Sequence, residues 1–309
     1  MTAEASVPPI GVTAAPPRRP SNQTGFLPFC RRLWKVRLAA LGLTIVAFLV
    51  VCALTAPWIS PYEPNRQRLL DALQAPSAEH LLGTDENGRD VLSRILYGTQ
   101  VSLAAGLFSV AIALSLGVTI GLVSGYFGGR VDNVLMRCMD ALLAFPTLVL
   151  ALAITATLGP GLRNAMIAIG IVGTPIFARL TRGQVLSVRE REMVEAARTI
   201  GASHVRIMVK HILPNIMGPL IVQISLSVAV AILAEATLSF LGLGVQPPQP
   251  SWGSMVSRGK DYLDLAPWLA FAPGGAILLA VLGFNFVGDA VRDALDPRLS
   301  RVTRPGSNA

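Results

Sequence analysis

Cysteine and histidine are the side chains that most often bind metals or act as nucleophiles, and this sequence has three of each. They are Cys30, Cys52, Cys138, His80, His204 and His211. The cysteines share no metal-ligand spacing, and the histidines form no HExxH or comparable pair. We interpret the cysteines as isolated thiols and expect the chain to build no metal site of its own.

A second set of potential ligands is the string Asp85, Asn87 and Asp90, which surrounds Gly88. Carboxylate and amide oxygens near a glycine turn invite comparison with calcium loops. The segment lacks the loop length and the closing glutamate of an EF-hand. The favoured interpretation is a series of turns that leads into an amphipathic helix over residues 91–97.

Glu235 is an ionisable residue inside a long apolar stretch that begins at Ile216. A separation of 19 residues is about 29 Å along a helix, which places Glu235 near the far end of a membrane span. Carboxylates inside membranes are costly and are often functional. Three interpretations stay open: Glu235 lines the mouth of a solute pathway, extends to the interface, or pairs with a partner subunit.

Catalytic machinery is missing from the sequence. The apolar stretches hold no Ser/His, Asp/Asp or HExxH constellation, and no GxxxxGK[ST] phosphate-binding loop occurs. We therefore expect no catalytic residue, no bound cofactor and no ATP site in this chain. Energy for any active process must come from a partner.

The composition is that of a membrane protein. Of 309 residues, 52% are apolar and 14% are charged, against roughly 25% charged in an average soluble domain. The net charge of +8 comes from basic residues dispersed among apolar runs, without the aromatic–basic interleaving of nucleic-acid-binding proteins. We expect a lipid bilayer and no nucleic acid as partner.

Six apolar stretches predict membrane-spanning helices, for which about 20 residues each are needed. They are Leu38–Ile59, Ser102–Ser124, Ala141–Gly159, Asn164–Ala178, Ile216–Leu243 and Ala266–Val287. The first is interpreted as an uncleaved helix because its apolar core is too long for a signal peptide. The fourth spans only 15 residues, about 22 Å. It must lie among other helices or extend its ends with arginines.

The distribution of Lys and Arg predicts the orientation. Residues 1–37, 125–140, 179–215 and the tail from 288 hold 19 of the 26 basic residues, and the intervening segments 60–101, 160–163 and 244–265 hold 7. Positive charge accumulates on the cytoplasmic side. Both termini are therefore predicted to be cytoplasmic.

The segment 179–215 is the inner loop with the most character. Residues 189–198 alternate charges at helical spacing, and a second helix is expected after a break near Gly201. Its apolar stripe would be Val205, Met208, Val209 and Ile212, with Pro214 marking a turn into the fifth span. In the first helix, Met193, Val194 and Ala197 would form a weak apolar side.

The residue types of this helix–glycine–helix segment are compatible with two functions. Small residues at Ala196, Ala197 and Gly201, flanked by Glu195 and Arg198, would let another protein approach closely. An amphipathic linker resting on anionic lipid fits equally well.

The same residues resemble the EAA motif of ABC importer permeases. The matching positions are Glu195, Ala196, Ala197, Gly201, Leu213 and Pro214, and Arg198 and His211 complete the expected contact loop. His211 departs from the general motif, which often has isoleucine at that position. The run His-Ile-Leu-Pro-Asn resembles the dipeptide/oligopeptide/nickel subgroup. The outer sequence GTDxxGRDVLSRxxYG, with Asp85, Gly88, Arg89 and Asp90, is similar to the signature of the second permease subunit of that subgroup.

The resemblance implies an all-α membrane protein with about six transmembrane helices and the type I ABC importer permease fold. It also implies that the inner loop is the coupling helix that docks on an ATP-binding subunit. The partners would be a homologous second permease, two ATP-binding subunits that hold ATP and Mg, and an extracytoplasmic substrate-binding protein. The location would be the bacterial inner membrane.

Di- or oligopeptides are the expected cargo. If Glu235 lines the pathway, it would meet the positive amino end of the peptide. Nickel or another small solute of the same family is the alternative. A stand-alone secondary transporter is disfavoured because ion coupling needs ionisable groups near the midplane.

The expected organisation has five parts. Residues 1–35 are a disordered cytoplasmic tail, 36–60 the first transmembrane helix and 61–101 an extracytoplasmic segment. Residues 102–290 are a permease core of five transmembrane helices that contains the loop 179–215, and 291–309 are a cytoplasmic C-terminal tail.

Overall fold

The computed structural model describes residues 37–295, so the predicted tail 1–35 and most of the tail 291–309 lie outside the described residues. The described chain is helical. Its helices are α1 (Arg37–Ile59), α2 (Val91–Phe127), α3 (Gly129–Leu143), α4 (Thr147–Leu158), α5 (Leu162–Val188), α6 (Glu192–Thr199), α7 (His204–Phe240), α8 (Trp252–Gly259) and α9 (Trp268–Leu295). Short 3₁₀ turns lie at Leu69–Asp71 and Lys260–Tyr262. The last helix continues beyond residue 290, where the tail was predicted to begin.

Five helices, α1, α2, α5, α7 and α9, are long and apolar enough to cross a membrane. The sixth crossing is built differently from the prediction. Instead of one straight helix over Ala141–Gly159, α3 and α4 meet at a bend of 92°. Pro146 stands at the start of α4, and a proline disfavours helical backbone in the residue before it. With 12 residues, α4 is about 18 Å long, less than the roughly 30 Å of a bilayer core.

The fourth span is longer than its 15 apolar residues predicted. Helix α5 has 27 residues and runs through Arg179 and Arg182. These arginines do not end the span, because they pair with Asp140 and Asp132 of α3. The expected position of this span among other helices is confirmed, since more than half of its apolar window is buried.

The fifth span and the helix before it are one element. Helix α7 is continuous from His204 through Pro214, so the predicted turn at Pro214 is wrong. A π-helical turn at Ile207–Ile212 precedes the proline. The buried side of this segment therefore differs from the predicted apolar stripe, because the wider π-helical turn places Ile207 and Ile212 on the same side of α7. Both are buried, whereas Val205 and Val209 are 66% and 51% exposed.

A seam of small residues joins α2 to α5, the most extensive helix contact in the described chain. The seam on α2 repeats every fourth residue: Ser109, Ala113, Gly117, Gly121 and Gly125. A Cβ on Gly121 would lie 2.5 Å from the carbonyl oxygen of Ala178 and 2.5 Å from Thr181 Cβ. Small residues at this spacing let helix backbones approach closely in membranes.

The remaining helices surround this pair. Helix α7 packs against α2, α5 and α9, and α1 packs against α9 and α2. At the end opposite α6, the segment 60–90 packs with α8 around Val91, Met255 and Leu269. Trp252 is fully buried there and donates a hydrogen bond to the carbonyl of Ile95 (3.2 Å). The Trp252 side chain therefore anchors the segment between α7 and α8 to the start of α2.

Candidate functional site

Helix α6 lies between two spans, and its buried side is the one the sequence predicted. A three-residue turn separates it from α5. Val194 and Ala197 are buried, and Met193 packs against the same core. Charged residues occupy the exposed side, so α6 rests on the bundle along one narrow apolar line.

The break between α6 and α7 falls at Gly201, as predicted. Its φ of +76° lies in the left-handed region, which glycine enters without a steric penalty. The chain then enters α7 through Ser203, whose hydroxyl accepts a hydrogen bond from the backbone N–H of Arg206. The turn presents both helix ends on one side of the molecule.

An exposed patch results, which we call the α6 surface. It consists of Glu195, Ala196, Arg198, Ile200, Gly201, Val205 and Val209. Ile200 is 84% exposed at its centre. Ala197 was predicted to belong to such a contact surface, but it is 3% exposed and packs inward. Sequence reasoning missed Ile200, although an isoleucine directly before the breaking glycine is a readable signal.

The other motif residues, His211, Leu213 and Pro214, lie in and after the π-helical turn. His211 and Leu213 are half-buried, and Pro214 is exposed. Asn215 donates a hydrogen bond to the carbonyl of His211 (2.7 Å), and its side-chain nitrogen lies 3.9 Å from the sulfur of Met193. The residues around the π-helical turn of α7 therefore contact α6 through Met193.

Ion pairs tie α3 to α5 next to the α6 surface. Asp132 is 9% exposed and accepts two hydrogen bonds from Arg182, both 2.6 Å, and a third from Ser124. Arg179 and Asp140 form a second pair at 2.7 Å whose side chains are about half exposed. A bidentate, partly buried pair fixes geometry more firmly than an exposed one.

The outer signature residues form a buried network. Asp85 accepts hydrogen bonds from the backbone and side chain of Arg89, and Asp90 accepts two from Ser93. The other oxygen of Asp90 lies 2.9 Å from His80 Nδ1. Gly88 takes a φ of +67° in the turn between them. The carboxylates hold the segment 80–90 against the start of α2, and both of their oxygens are used.

Glu235 is fully buried between α2 and α7. It accepts hydrogen bonds from Ser239 (2.6 Å) and Ser102 (3.2 Å), and the Ser239 hydroxyl accepts one from the backbone N–H of Val245. The carboxyl group reaches no exposed surface in this structure, and its role in a pathway stays a prediction. The carboxyl group links two spans and the loop after α7.

A bundle of apolar helices long enough to cross a membrane, with an exposed helix–glycine–helix at one end, defines a multi-pass membrane protein. The chain belongs to the family of binding-protein-dependent transport system inner membrane components, whose model matches residues 117–301. Residues 29–76 match the N-terminal transmembrane domain of oligopeptide transport permease C.

Curated relatives agree over most of the chain. The di/tripeptide transport system permease protein DppC of Pseudomonas aeruginosa is 50% identical, with 84% of this chain and 88% of the relative covered. The dipeptide transport system permease protein DppC of Alkalihalophilus pseudofirmus is 47% identical, with 87% and 88% covered. The probable D,D-dipeptide transport system permease protein DdpC of Escherichia coli is 46% identical, with 91% and 95% covered.

Solved structures agree on the fold. An inward-facing structure of the MetNI methionine ABC transporter matches with a TM-score of 0.54 at 17% identity, over 66% of this chain and 97% of that one. The predicted all-α membrane fold of the type I importer permeases is confirmed. The chain is a multi-pass membrane permease component of an ABC importer.

Proposed function

We propose that this chain forms half of the translocation pathway for di- or oligopeptides that an extracytoplasmic binding protein delivers. The relatives named above are permeases for dipeptides, di/tripeptides and D,D-dipeptides, and their similarity extends over most of the chain. A homologous second permease would supply the other half. Two ATP-binding subunits would hold ATP and Mg, since this sequence has no phosphate-binding loop.

The observation that carries the coupling role is the α6 surface. It has an apolar centre at Ile200 and Val205, charged neighbours at Glu195 and Arg198, and a small residue at Ala196. Exposed apolar side chains rimmed by polar ones are typical of protein–protein contacts. The surface is narrow, as a helix that enters a groove on an ATP-binding subunit must be.

The connections of α6 explain how such docking would drive transport. Residues 189–191 join it to α5 and residues 200–203 join it to α7, and both neighbours are long enough to cross the membrane. Displacement of α6 therefore acts on two spans at once. When ATP draws the ATP-binding subunits together, the α6 helices of the two permeases approach and the spans open outward. Hydrolysis and release return the inward-facing state.

The same proposal places the α6 surface in the cytoplasm of a bacterial cell, with both termini on that side. The excess of Lys and Arg in the segments that flank it supports this orientation.

Substitution of Gly201 tests the coupling role. In G201V, a β-branched residue must adopt a positive φ and adds bulk to a surface with open space around it. We expect normal membrane insertion and loss of ATP-driven uptake. The matched control is G242V at the opposite end of α7, where φ is +82° and the space is also open. Unchanged uptake in G201V, or equal loss in both variants, would contradict the coupling role.

The cargo is tested with the genomically adjacent binding protein and the complete complex in proteoliposomes. Uptake of a labelled dipeptide, dependent on ATP and on the binding protein, is expected. Uptake of nickel without peptide uptake would favour the alternative within the family. Uptake by this chain without ATP-binding subunits would identify a secondary transporter instead.

A further inference from the structure

The last turn of α6 and the residues on either side of α6 contact the same three residues at the end of α2, Gly125–Phe127. Before α6, Arg189 donates a hydrogen bond to the carbonyl of Gly125 (2.8 Å). In the last turn of α6, the guanidinium carbon of Arg198 lies 5.3 Å from the centre of the Tyr126 ring. After α6, Nδ1 of His204 lies 2.9 Å from the hydroxyl oxygen of Tyr126.

Tyr126 is the centre of this arrangement. It is 7% exposed although it stands at the end of a helix. The ring centroid of His204 lies 5.6 Å from that of Tyr126 and 5.7 Å from that of Phe127. Edge-on packing at these distances and a cation over the ring each contribute on the order of 1 kcal/mol. The hydroxyl adds a directional contact that an apolar residue would not provide.

The helix that carries Tyr126 is itself held rigidly. Gly117, Gly121 and Gly125 bring α2 against α5 with no room for a Cβ. Just beyond the end of α2, Asp132 binds Arg182 of α5 and Ser124 of α2. The inner ends of α2, α3 and α5 thus form one unit.

The links of α6 are short non-helical turns, one of them at a glycine with positive φ. Turns of this kind absorb part of a backbone rotation, so a helix held by them alone would pass only part of its displacement to α5 and α7 and none directly to α2. A contact from α6 and from the first residue of α7 to one buried side chain of α2 prevents that loss.

We propose that Tyr126 is a positioning residue that transmits displacement of α6 to the α2–α5 pair, held by Arg198 on one side and His204 on the other. This Tyr126 clamp rests on the proposed function, because it requires that α6 receive force from an ATP-binding subunit. It adds a route by which that force reaches α2, a span that is not joined to α6 by the chain.

The test uses the complete complex in proteoliposomes and measures both ATP hydrolysis and peptide uptake. Y126F keeps the ring, its burial and its contact with Arg198, and removes only the hydroxyl. We expect assembly and ATP hydrolysis to persist, and peptide imported per ATP to fall about fivefold, as the loss of one hydrogen bond would give. The matched control is Y62F, which removes a tyrosine hydroxyl bonded to the carbonyl of Glu79 at the other end of the molecule. It should import as the unmodified chain does.

Variants of His204 separate transmission from simple packing. H204F keeps an aromatic ring without a hydrogen-bonding atom and should match Y126F. H204Q retains a group that can bond the tyrosine hydroxyl and should recover most of the import per ATP. The double variant Y126F/H204F should be no worse than either single one, because both remove the same contact.

Equal import per ATP in Y126F, Y62F and the unmodified complex would overturn the proposal. So would a Y126F complex that fails to assemble, since the clamp would then hold the fold and not transmit motion. An unmodified complex that neither hydrolyses ATP nor imports peptide would instead overturn the proposed function, so the two failures are distinguishable.

Discussion

Ionisable side chains inside the bundle are few, and their hydrogen-bonding atoms are engaged. Asp132 binds a guanidinium through two hydrogen bonds and a hydroxyl through a third. Glu235 binds two hydroxyls and has no cation beside it among the described residues. A carboxylate away from water is costly unless such partners are present. We therefore expect both residues to contribute to stability, and to affect transport only through the helices they join.

Removal of the Asp132 carboxylate should destabilise the inner end of the bundle. In D132A, Arg182 and Ser124 lose their shared partner, and a buried polar group left unpaired costs about 1–3 kcal/mol. The Arg182 side chain is 35% exposed, so water reduces the loss toward the lower figure. Thermal unfolding of the detergent-solubilised protein should show a lower Tm.

The control for this variant is the neighbouring pair. Asp140 and Arg179 are about half exposed, and an exposed ion pair contributes about 0–1 kcal/mol. D140A should therefore change the Tm less than D132A does. Equal shifts in the two variants would show that burial of the Asp132 pair carries no extra stability.

Substitution of Glu235 distinguishes a structural carboxyl group from a pathway charge. E235Q keeps the shape and an oxygen that accepts from Ser239, so both Tm and uptake should be close to those of the unmodified protein. E235L leaves Ser102 and Ser239 without their partner and should lower the Tm, at a cost of about 1–3 kcal/mol. A strong loss of uptake in E235Q at unchanged Tm would restore the interpretation of Glu235 as a charge that the substrate meets.

Sequence alone marked Glu235 as exceptional but could not find its partners. Ser102 is 133 residues away in the chain, and a serine in an apolar helix has no distinguishing pattern. The position of the carboxylate along its helix suggested an exposed mouth, whereas side-chain direction and the packing of α2 decide that it is buried.

At the scale of elements, apolar length located the five helices that are long enough to cross a membrane, and its errors elsewhere have physical causes. Charge is costly in lipid, so Arg179 sets the end of the predicted fourth span, yet Arg179 and Arg182 are neutralised by acidic residues of α3. Pro146 interrupts the third predicted span. The residues around it are apolar, so hydropathy alone does not reveal the interruption. Pro214 predicts a turn, but a π-helical turn before it keeps α7 continuous. Hydropathy indicates which residues avoid water, but it does not show where a helix bends or continues.

The contact between α2 and α5 predicts that added volume is not tolerated at Gly121. A single methyl group in G121A would lie 2.5 Å from the backbone oxygen of Ala178, which cannot move without shifting α5. Overpacking of this kind costs about 1–3 kcal/mol. A lower Tm in detergent is the expected result.

The matched control is G275A in α9, a helical glycine with open space around its Cβ direction. An alanine there should leave the Tm unchanged or raise it slightly, because alanine favours helix over glycine by about 1 kcal/mol. If G121A is as stable as G275A, the small residues of α2 are not required for its close approach to α5.

At the scale of the whole molecule, the sequence located the α6 surface but did not predict the long-range contacts that hold it. The break at Gly201 and the buried side of α6 followed from charge alternation and helical spacing. The clamp at Tyr126 did not, because it joins α2 to residues more than 70 positions later, and no local pattern encodes such a contact. The orientation of the molecule rests on basic residues spread over four segments, so it is a property of the entire chain.

That orientation gives the last prediction, which uses exposed thiols at the two ends of the bundle. Cys138 is exposed on α3, on the predicted cytoplasmic side, and Cys52 is buried in α1. With Cys30 replaced by serine, a membrane-impermeant maleimide should leave Cys138 unlabelled in intact spheroplasts and label it after permeabilisation. Leu70 is 99% exposed in the predicted outer segment. In a C30S/C138S background, L70C should be labelled in both conditions. Labelling of Cys138 from outside at the rate of L70C would reverse the topology and remove the α6 surface from the reach of any cytoplasmic ATP-binding subunit.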